Sequence, residues 1–240
     1  MSIVDQLAQI RDRIASAARR AGRNPDDIAV MAVCKTFPAE AIKEAYAAGQ
    51  RLFGENRVQE FAEKYPAVAS LPDVRFHMIG HLQSNKAARA AEIFHAVDSI
   101  DSTKLAQRLN DAAQKLNKTL DILIEVNVGG EEAKSGLSPD SPEINAILMQ
   151  APSWKNLSIR GLMTVPPFTD DPEGARPYFR KLRELRDQLA AHIYPNVTLD
   201  TLSMGMSHDF EVAIEEGSTC VRIGTAIFGE RPSTGFKNTF

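Results

Sequence analysis

The segment AVMAVCKTFPAEAI places one lysine, Lys35, at the tip of an apolar run and directly before a helix start. At period two Lys35 shares a strand face with Val33 and Met31, so it points into the mouth of a barrel if that face is inward. A lysine part-buried in an apolar mouth loses the hydration that favours its ammonium form, and its pKa falls. The neutral amine is then a nucleophile that condenses with an aldehyde as a Schiff base. A solvated lysine at a strand end is the plainer alternative.

Two later segments suit an anion. In RIGTAIFG, read as a strand, Arg222, Gly224 and Ala226 share one face, and the small residues leave room for a flat ligand close to the backbone. Backbone N–H groups and the hydroxyl around Gly224 and Thr225 are the donors that phosphate oxygens take. A close-packed barrel strand is the alternative. In LSMGMSHDFEVAIEEG the chain turns through Gly205 and Met206 into a helix that Ser207 is suited to cap. The same hydroxyl could meet an anion, which a helix N-terminus also favours.

Asn56, in FGENRVQE, ends the second apolar run, where it could hydrogen-bond a phenolic oxygen or cap a helix beginning near Arg57. Met163, Thr164 and Ser203 stand at strand ends and would touch a ligand by packing. Lys134, in EEAKSG, is by default a solvated loop residue. His77 and His81 fall on one face of the third strand without a third ligand at metal spacing, so no metal is expected. Cys34 has the opposite parity to Lys35 and Cys220 the parity of Arg222; their strands adjoin in a closed barrel, yet no disulfide is expected.

These residues need a scaffold, and the hydrophobic pattern supplies one. Short apolar or β-branched runs at 28–35, 51–56, 75–81, 94–100, 120–128, 157–165, 201–205 and 220–229 alternate with helix-patterned segments, after an opening helix marked by Ile3, Leu7, Ile10 and Ile14. Stripes such as Leu105, Leu109, Ala112 and Leu116, or Phe179, Leu182, Leu185 and Leu189, define the helices between them. Parallel strands need crossover elements, and eight such units close into a (β/α)8 barrel more readily than they form the runner-up, a doubly wound open sheet. Loops at 131–142 and 166–177 then lie at the end where such barrels build their sites, and the phosphate-suited segments follow strands seven and eight. With no linker in the chain and only ERPSTGFKNTF after the last strand, residues 1–240 read as one domain.

Composition narrows the function classes. The 240 residues carry a formal net charge of −3, with 25% charged and 43% hydrophobic residues, which are ordinary globular values. No basic block invites nucleic acid or an anionic membrane, and no stretch reads as a signal peptide or membrane span. Two cysteines without a CxxC pair suit a reducing, cytoplasmic setting.

Taken in order, VCKTFP, FGENRVQE, GHLQSNK, KSG, RGLMTV, SMGMSHDFEVAI and VRIGTAIFG run from the first helix to the eighth strand, and the chain so read resembles the pyridoxal phosphate homeostasis proteins. These are small pyridoxal 5'-phosphate carriers with the alanine-racemase-like barrel. The resemblance implies that Lys35 holds pyridoxal phosphate as a Schiff base. It further implies that Gly205, Ser207, Gly224 and Thr225 bind the phosphate, that Arg222 faces the pyridine nitrogen, and that Asn56 and Met163 flank the ring, with Ser203 lining the site. Some members have serine at Cys34 and aspartate at His208. The family's KSG lysine corresponds to Lys134, a second landing point for the aldehyde.

An arginine keeps its proton and donates to an unprotonated ring nitrogen, which weakens the electron sink that amino-acid chemistry requires. Racemases of this fold tolerate that arrangement but also take a second acid/base from an extra β domain, and no such domain is expected here. The expectation is a monomer that binds, stores and delivers pyridoxal phosphate to apo-enzymes and lacks robust catalysis. The competing readings are a pyridoxal-phosphate-dependent racemase or decarboxylase, and a cofactor-free aldolase in which Lys35 attacks a sugar-phosphate carbonyl.

Overall fold

Eight parallel strands, each hydrogen-bonded to the next and the last to the first, form a closed barrel in the computed structural model, which describes residues 1–131 and 134–230. They are β1 (Ala29–Val33), β2 (Leu52–Glu55), β3 (Arg75–Met78), β4 (Ala96–Ile100), β5 (Leu120–Glu125), β6 (Leu157–Met163), β7 (Val197–Met206) and β8 (Cys220–Ile223). The α-helices are α1 (Ile3–Arg20), α2 (Ala39–Ala47), α3 (Val58–Val68), α4 (Ala87–Ile93), α5 (Thr103–Lys115), α6 (Pro142–Gln150), α7 (Arg176–Ala190), α8 (Phe210–Glu215) and α9 (Thr225–Phe228). The barrel is the expected architecture, and its closure rules out the open sheet.

The helix preceding β1 forms because its apolar residues recur on one face: Leu7, Ile10, Ile14, Ala17 and Ala18 are buried, and Ser2 with Asp5 makes a reciprocal capping box. Its polar side reaches α8 through Arg13 to Glu211 at 2.9 Å and Arg20 to Glu215 at 3.1 Å. Between barrel and helices lies a continuous apolar layer. At its centre Phe61 of α3 stacks on Phe76 and Phe94, with ring centroids 4.6 and 4.8 Å away. Burying one such ring contributes about 2–3 kcal/mol, so α3 is held firmly against β2 and β3. Among the described residues, no helix is long and apolar enough to cross a membrane.

Several element ends differ from the sequence reading. The first strand stops at Val33 rather than 35, because Phe37 N–H donates to the Cys34 carbonyl at 3.2 Å and closes a turn. Pro38 precedes the first helical residue of α2 instead of lying in its first turn. The eighth strand stops at Ile223, since Ile227 and Phe228 donate to the Gly224 carbonyl and wind the chain into α9. The seventh begins at Val197, four positions before the expected 201, with Leu199 at φ 55° interrupting the alternation that would have revealed it. His81 lies beyond β3 and so does not share a strand face with His77. Leu116 follows α5 and is exposed. The segment 231–240 and residues 132 and 133 lie outside the described residues.

Inside the barrel the register brings Val33 opposite Gly54, Met31 opposite Arg222, and Ser203 opposite Cys220. His95 enters β4 by exchanging two bonds with Phe76: its N–H donates to the Phe76 carbonyl at 2.8 Å, and its Nδ1 accepts the Phe76 N–H at 3.0 Å. An accepting Nδ1 must be unprotonated. Burial, aided by Arg75 and Lys118, pulls the imidazole pKa down to about 4. The unfolded chain, with a histidine pKa of about 6.5, then binds the proton first as pH falls. His95 therefore contributes stability above about pH 6.5 that is lost on acidification towards about pH 4. Urea unfolding across that window should show a smaller pH-dependent loss in His95→Gln than in the parent protein. Equal slopes for the two would refute this role.

Candidate functional site

The lysine turn crowns β1. Cys34 is still paired, its N–H donating to the Gly54 carbonyl at 3.0 Å, but Lys35 and Thr36 curve away over the C-terminal rim. Lys35 is half-buried there, two residues past the last strand residue. Thr36 adopts φ 68°, a left-handed conformation that glycine or asparagine fills easily and a β-branched residue does not. Its hydroxyl donates to the Lys35 carbonyl at 2.5 Å.

The anion-suited residues meet beside this turn. Ser207 does not cap α8, whose N-cap position is occupied by Asp209. Instead Ser207 Oγ accepts N–H groups from Gly224 at 3.3 Å and Ala226 at 3.5 Å. Gly224, Thr225 and Ala226 are therefore a strand-to-helix corner, and the expected strand face shared by Arg222, Gly224 and Ala226 does not exist. Two N–H groups and a hydroxyl at such a corner are donors that a phosphate can take over. The corner lies close to β1: a Cβ on Gly224 would stand 3.4 Å from the Val33 carbonyl oxygen. On the other side Gly205, at φ 93°, leaves no space for a side chain, since a Cβ would meet Ala213 Cβ at 2.5 Å. Asp209 Oδ1 fixes the same bend by accepting the Met206 N–H at 2.7 Å.

Arg222 lies between these parts and the barrel interior. It is 4% exposed, and its guanidinium donates to Ser203 Oγ at 2.8 Å and the Thr164 carbonyl at 2.6 Å. Burial draws its pKa below arginine's usual range, opposed by Cys220, Asp98, Glu125 and Asp209. It remains a cation with fixed orientation. Met163, buried, pairs in register with Glu125 on one side and Ser203 on the other.

Asn56 follows β2 and does not cap α3, whose N-cap position is Arg57. Its Oδ1 is buried without a hydrogen-bond partner among the described residues. A buried orphan of this kind costs about 1–3 kcal/mol and suits a position kept for a ligand.

Glu125 was not singled out from sequence. It ends β5, its Oε1 accepts from Ser135 Oγ at 2.9 Å, and Oε2 is another buried atom without a partner among the described residues. Burial raises its pKa. The available signal was a carboxylate at period two from Leu123 in LDILIE, hence inside the mouth. Lys134 is not simply solvated: it pairs with Glu131 and donates to the Pro166 carbonyl at 3.1 Å, linking the loops after β5 and β6. His208 joins the second of those loops, with Nε2 3.1 Å from the Thr169 carbonyl and its ring 5.5 Å from that of Phe168. His77 Nδ1 lies 3.1 Å from Asp98 and His81 Nδ1 3.4 Å from Asp101, each with its own carboxylate. Cys34 and Cys220 are free. The rim thus combines a primary amine, a cradle of N–H and O–H donors, a fixed guanidinium and an orphan amide oxygen. That set of donors with one acceptor fits a planar hydroxy-aldehyde bearing a phosphate.

The family model described as alanine racemase, N-terminal domain, matches residues 6–232. A pyridoxal phosphate homeostasis protein of Aquifex aeolicus is 48% identical over 96% of this chain and 99% of its own length. PipY of Synechococcus elongatus PCC7942, solved without pyridoxal phosphate, is 38% identical with a TM-score of 0.84 over 95% of this chain and 100% of its own. Its structure with pyridoxal phosphate bound is 37% identical with a TM-score of 0.81 over the same shares, 95% and 100%. An alanine racemase of Clostridium difficile shares the fold, with a TM-score of 0.69 at 15% identity over 96% of this chain and 58% of its own.

The bend at Gly205 gives a direct check on the cradle. Gly205→Ala must displace α8 or strain the backbone, at an expected cost of about 2–3 kcal/mol in chemical denaturation. A cost below about 0.5 kcal/mol, the level of a neutral surface change, would show that the bend is not tightly packed.

Proposed function

This chain belongs to the pyridoxal phosphate homeostasis proteins, within the alanine racemase N-terminal domain family, and from that premise we propose that it binds pyridoxal 5'-phosphate as a Schiff base on Lys35. Storage and delivery of the cofactor in the cytoplasm follow from this reading, with a single domain over residues 1–240 acting as a monomer and apo-forms of pyridoxal-phosphate enzymes as recipients. The observation that carries it is the adjacency of the Gly224 corner to the end of β1, where Val33 precedes the lysine turn. One rim thereby offers an amine and a phosphate cradle to the same small molecule.

When bound, the cofactor supplies an aldehyde for reversible capture by an amine and a ring able to delocalise charge. Each residue has a corresponding task. Ser207, with the N–H groups around Gly224 and Thr225, holds the phosphate, while Gly205 shapes the bend that presents Ser207. Arg222, fixed by Ser203 and the Thr164 carbonyl, donates towards the pyridine nitrogen and cannot surrender its proton there. Asn56 Oδ1 would accept from the ring's hydroxyl, and Met163 would flank the ring. Lys134, already bridging two loops of the rim, offers a second amine.

Kinship with proteins named for pyridoxal phosphate homeostasis is what favours a carrier, and Arg222 weakens the electron sink without excluding a racemase, since racemases of this fold tolerate an arginine there. A carboxylate would protonate the ring nitrogen and strengthen the electron sink; an arginine leaves it weak. The fold alone does not decide this, since racemases and aldolases share it.

Lys35→Ala should abolish the absorbance of the covalent adduct while leaving the circular dichroism spectrum unchanged, because the residue lies in a surface turn. The parent protein, loaded with cofactor, should turn over no amino acid at enzyme-like rates and should reactivate an apo-enzyme. Retention of the covalent adduct in Lys35→Ala would move the anchor to another lysine. Rapid racemisation or decarboxylation by the parent protein would replace the carrier by an enzyme.

A further inference from the structure

Two charged side chains bond the backbone of the lysine turn, and a third braces one of them. Lys64 of α3 donates from Nζ to the Cys34 carbonyl at 3.1 Å, and Glu60, one helical turn earlier, accepts the Thr36 N–H at Oε1 at 2.6 Å. The first bond grips the peptide entering Lys35 and the second the peptide leaving it. Lys64 also pairs with Glu60 at 2.9 Å and with Glu55 of β2 at 2.7 Å. Its side chain is 11% exposed and that of Glu55 is fully buried. The Cys34 thiol completes the cluster, with Sγ 3.3 Å from Glu55 Oε1.

An ordinary i,i+4 glutamate–lysine pair on a helix lies in solvent and contributes about 0.2–0.5 kcal/mol. This one is turned inward and aimed at two main-chain groups. Burial would lower the Lys64 pKa, but Glu55 and Glu60 outweigh it and hold the amine above lysine's usual range. The cation is therefore kept in place where it meets the Cys34 carbonyl. Thr36 at φ 68° needs such support, because a non-glycine residue in that region persists only when its surroundings over-determine it. Phe61, packed between Phe76 and Phe94, fixes the helix that carries both Glu60 and Lys64.

We infer that Glu55, Glu60 and Lys64 form a clamp that sets the main-chain conformation of Lys35 and thereby positions its amine for covalent capture of an aldehyde at the rim. They are positioning residues that act through the turn. The inference rests on the reading of Lys35 as the covalent anchor.

The test compares two probes that differ at one carbon: pyridoxal 5'-phosphate, which bears the aldehyde, and pyridoxine 5'-phosphate, which bears an alcohol in its place and can bind only non-covalently. In Lys64→Met, adduct formation with the aldehyde, read by absorbance and by borohydride trapping on the Lys35 peptide, should weaken about tenfold, the scale of one lost charge-assisted hydrogen bond. Affinity for the alcohol should stay within about twofold, because the phosphate cradle is untouched. Lys64→Met strands the buried Glu55 and could fail to fold, so Glu60→Ala, at a more exposed position, provides the second variant and should show the same selective loss. Adding Thr36→Asn to Glu60→Ala, which replaces the strained residue with one at home at positive φ, should restore adduct formation at least in part.

Undiminished adduct formation in Glu60→Ala overturns the clamp, as does a parallel loss of both probes, which marks a merely structural effect. If the parent protein itself forms no adduct on Lys35, the covalent-anchor reading falls, and with it the clamp's purpose.

Discussion

Pairing of β8 with β1 is the constraint on which the rest depends. Parallel hydrogen bonding sets Met31 beside Arg222 and Ala32 beside Ile223, which brings together the two ends of the barrel sequence. The lysine turn and the Gly224 corner are thereby neighbours on one rim, although one follows the first strand and the other the last. A parallel barrel buries both faces of its sheet, so this pairing is enclosed by the helical layer and shielded from competition by water. An open sheet of the same strands would leave these two loops on opposite edges.

Polar groups inside that enclosure are unevenly satisfied. Arg222 has Ser203 and the Thr164 carbonyl, whereas His77, paired with Asp98 through Nδ1, leaves Nε2 without a partner among the described residues. Asn56 Oδ1 and Glu125 Oε2, both at strand ends on the C-terminal side, have no partner among the described residues. Thr36, at positive φ, belongs to the same rim. An orphan amide oxygen, an orphan carboxylate oxygen and a strained turn on one rim are features that a binding site imposes on a fold. They are not confined to it, since Glu55 Oε2 and His77 Nε2 are likewise unpartnered among the described residues and Asp73, Asn117, Asn196 and Leu199 also have positive φ. The Glu55, Glu60 and Lys64 cluster is the compensating element, lying outside the barrel wall and supporting the strained turn from behind.

Much of this was legible in the residues. Alternating apolar runs and helical stripes gave the barrel, and VCKTFP, SMGMS and RIGTAIFG marked the rim. Some of the errors share a cause, which is that local pattern does not report long-range partners. Ser207 looks like a helix cap until β8 brings the Gly224 and Ala226 N–H groups to its oxygen. GTAIFG looks like the continuation of a strand because four residues are too few to display helical periodicity. Thr36, β-branched, gives no hint of a left-handed conformation. Glu60 and Lys64 have the i,i+4 spacing of an ordinary helix pair, and only the packing of Phe61 turns them towards the lysine turn. Glu125 was concealed within an apolar run whose parity pointed it inward.

The central claim is that one rim holds a single small molecule at both ends, by an amine at one and a phosphate cradle at the other. A crystal structure of the protein loaded with pyridoxal 5'-phosphate tests it most directly. Continuous density should run from Lys35 Nζ into the ligand, with phosphate oxygens within hydrogen-bond distance of Ser207 Oγ and the Gly224 N–H. A ligand joined to another lysine, or a phosphate seated away from that corner, would contradict the account.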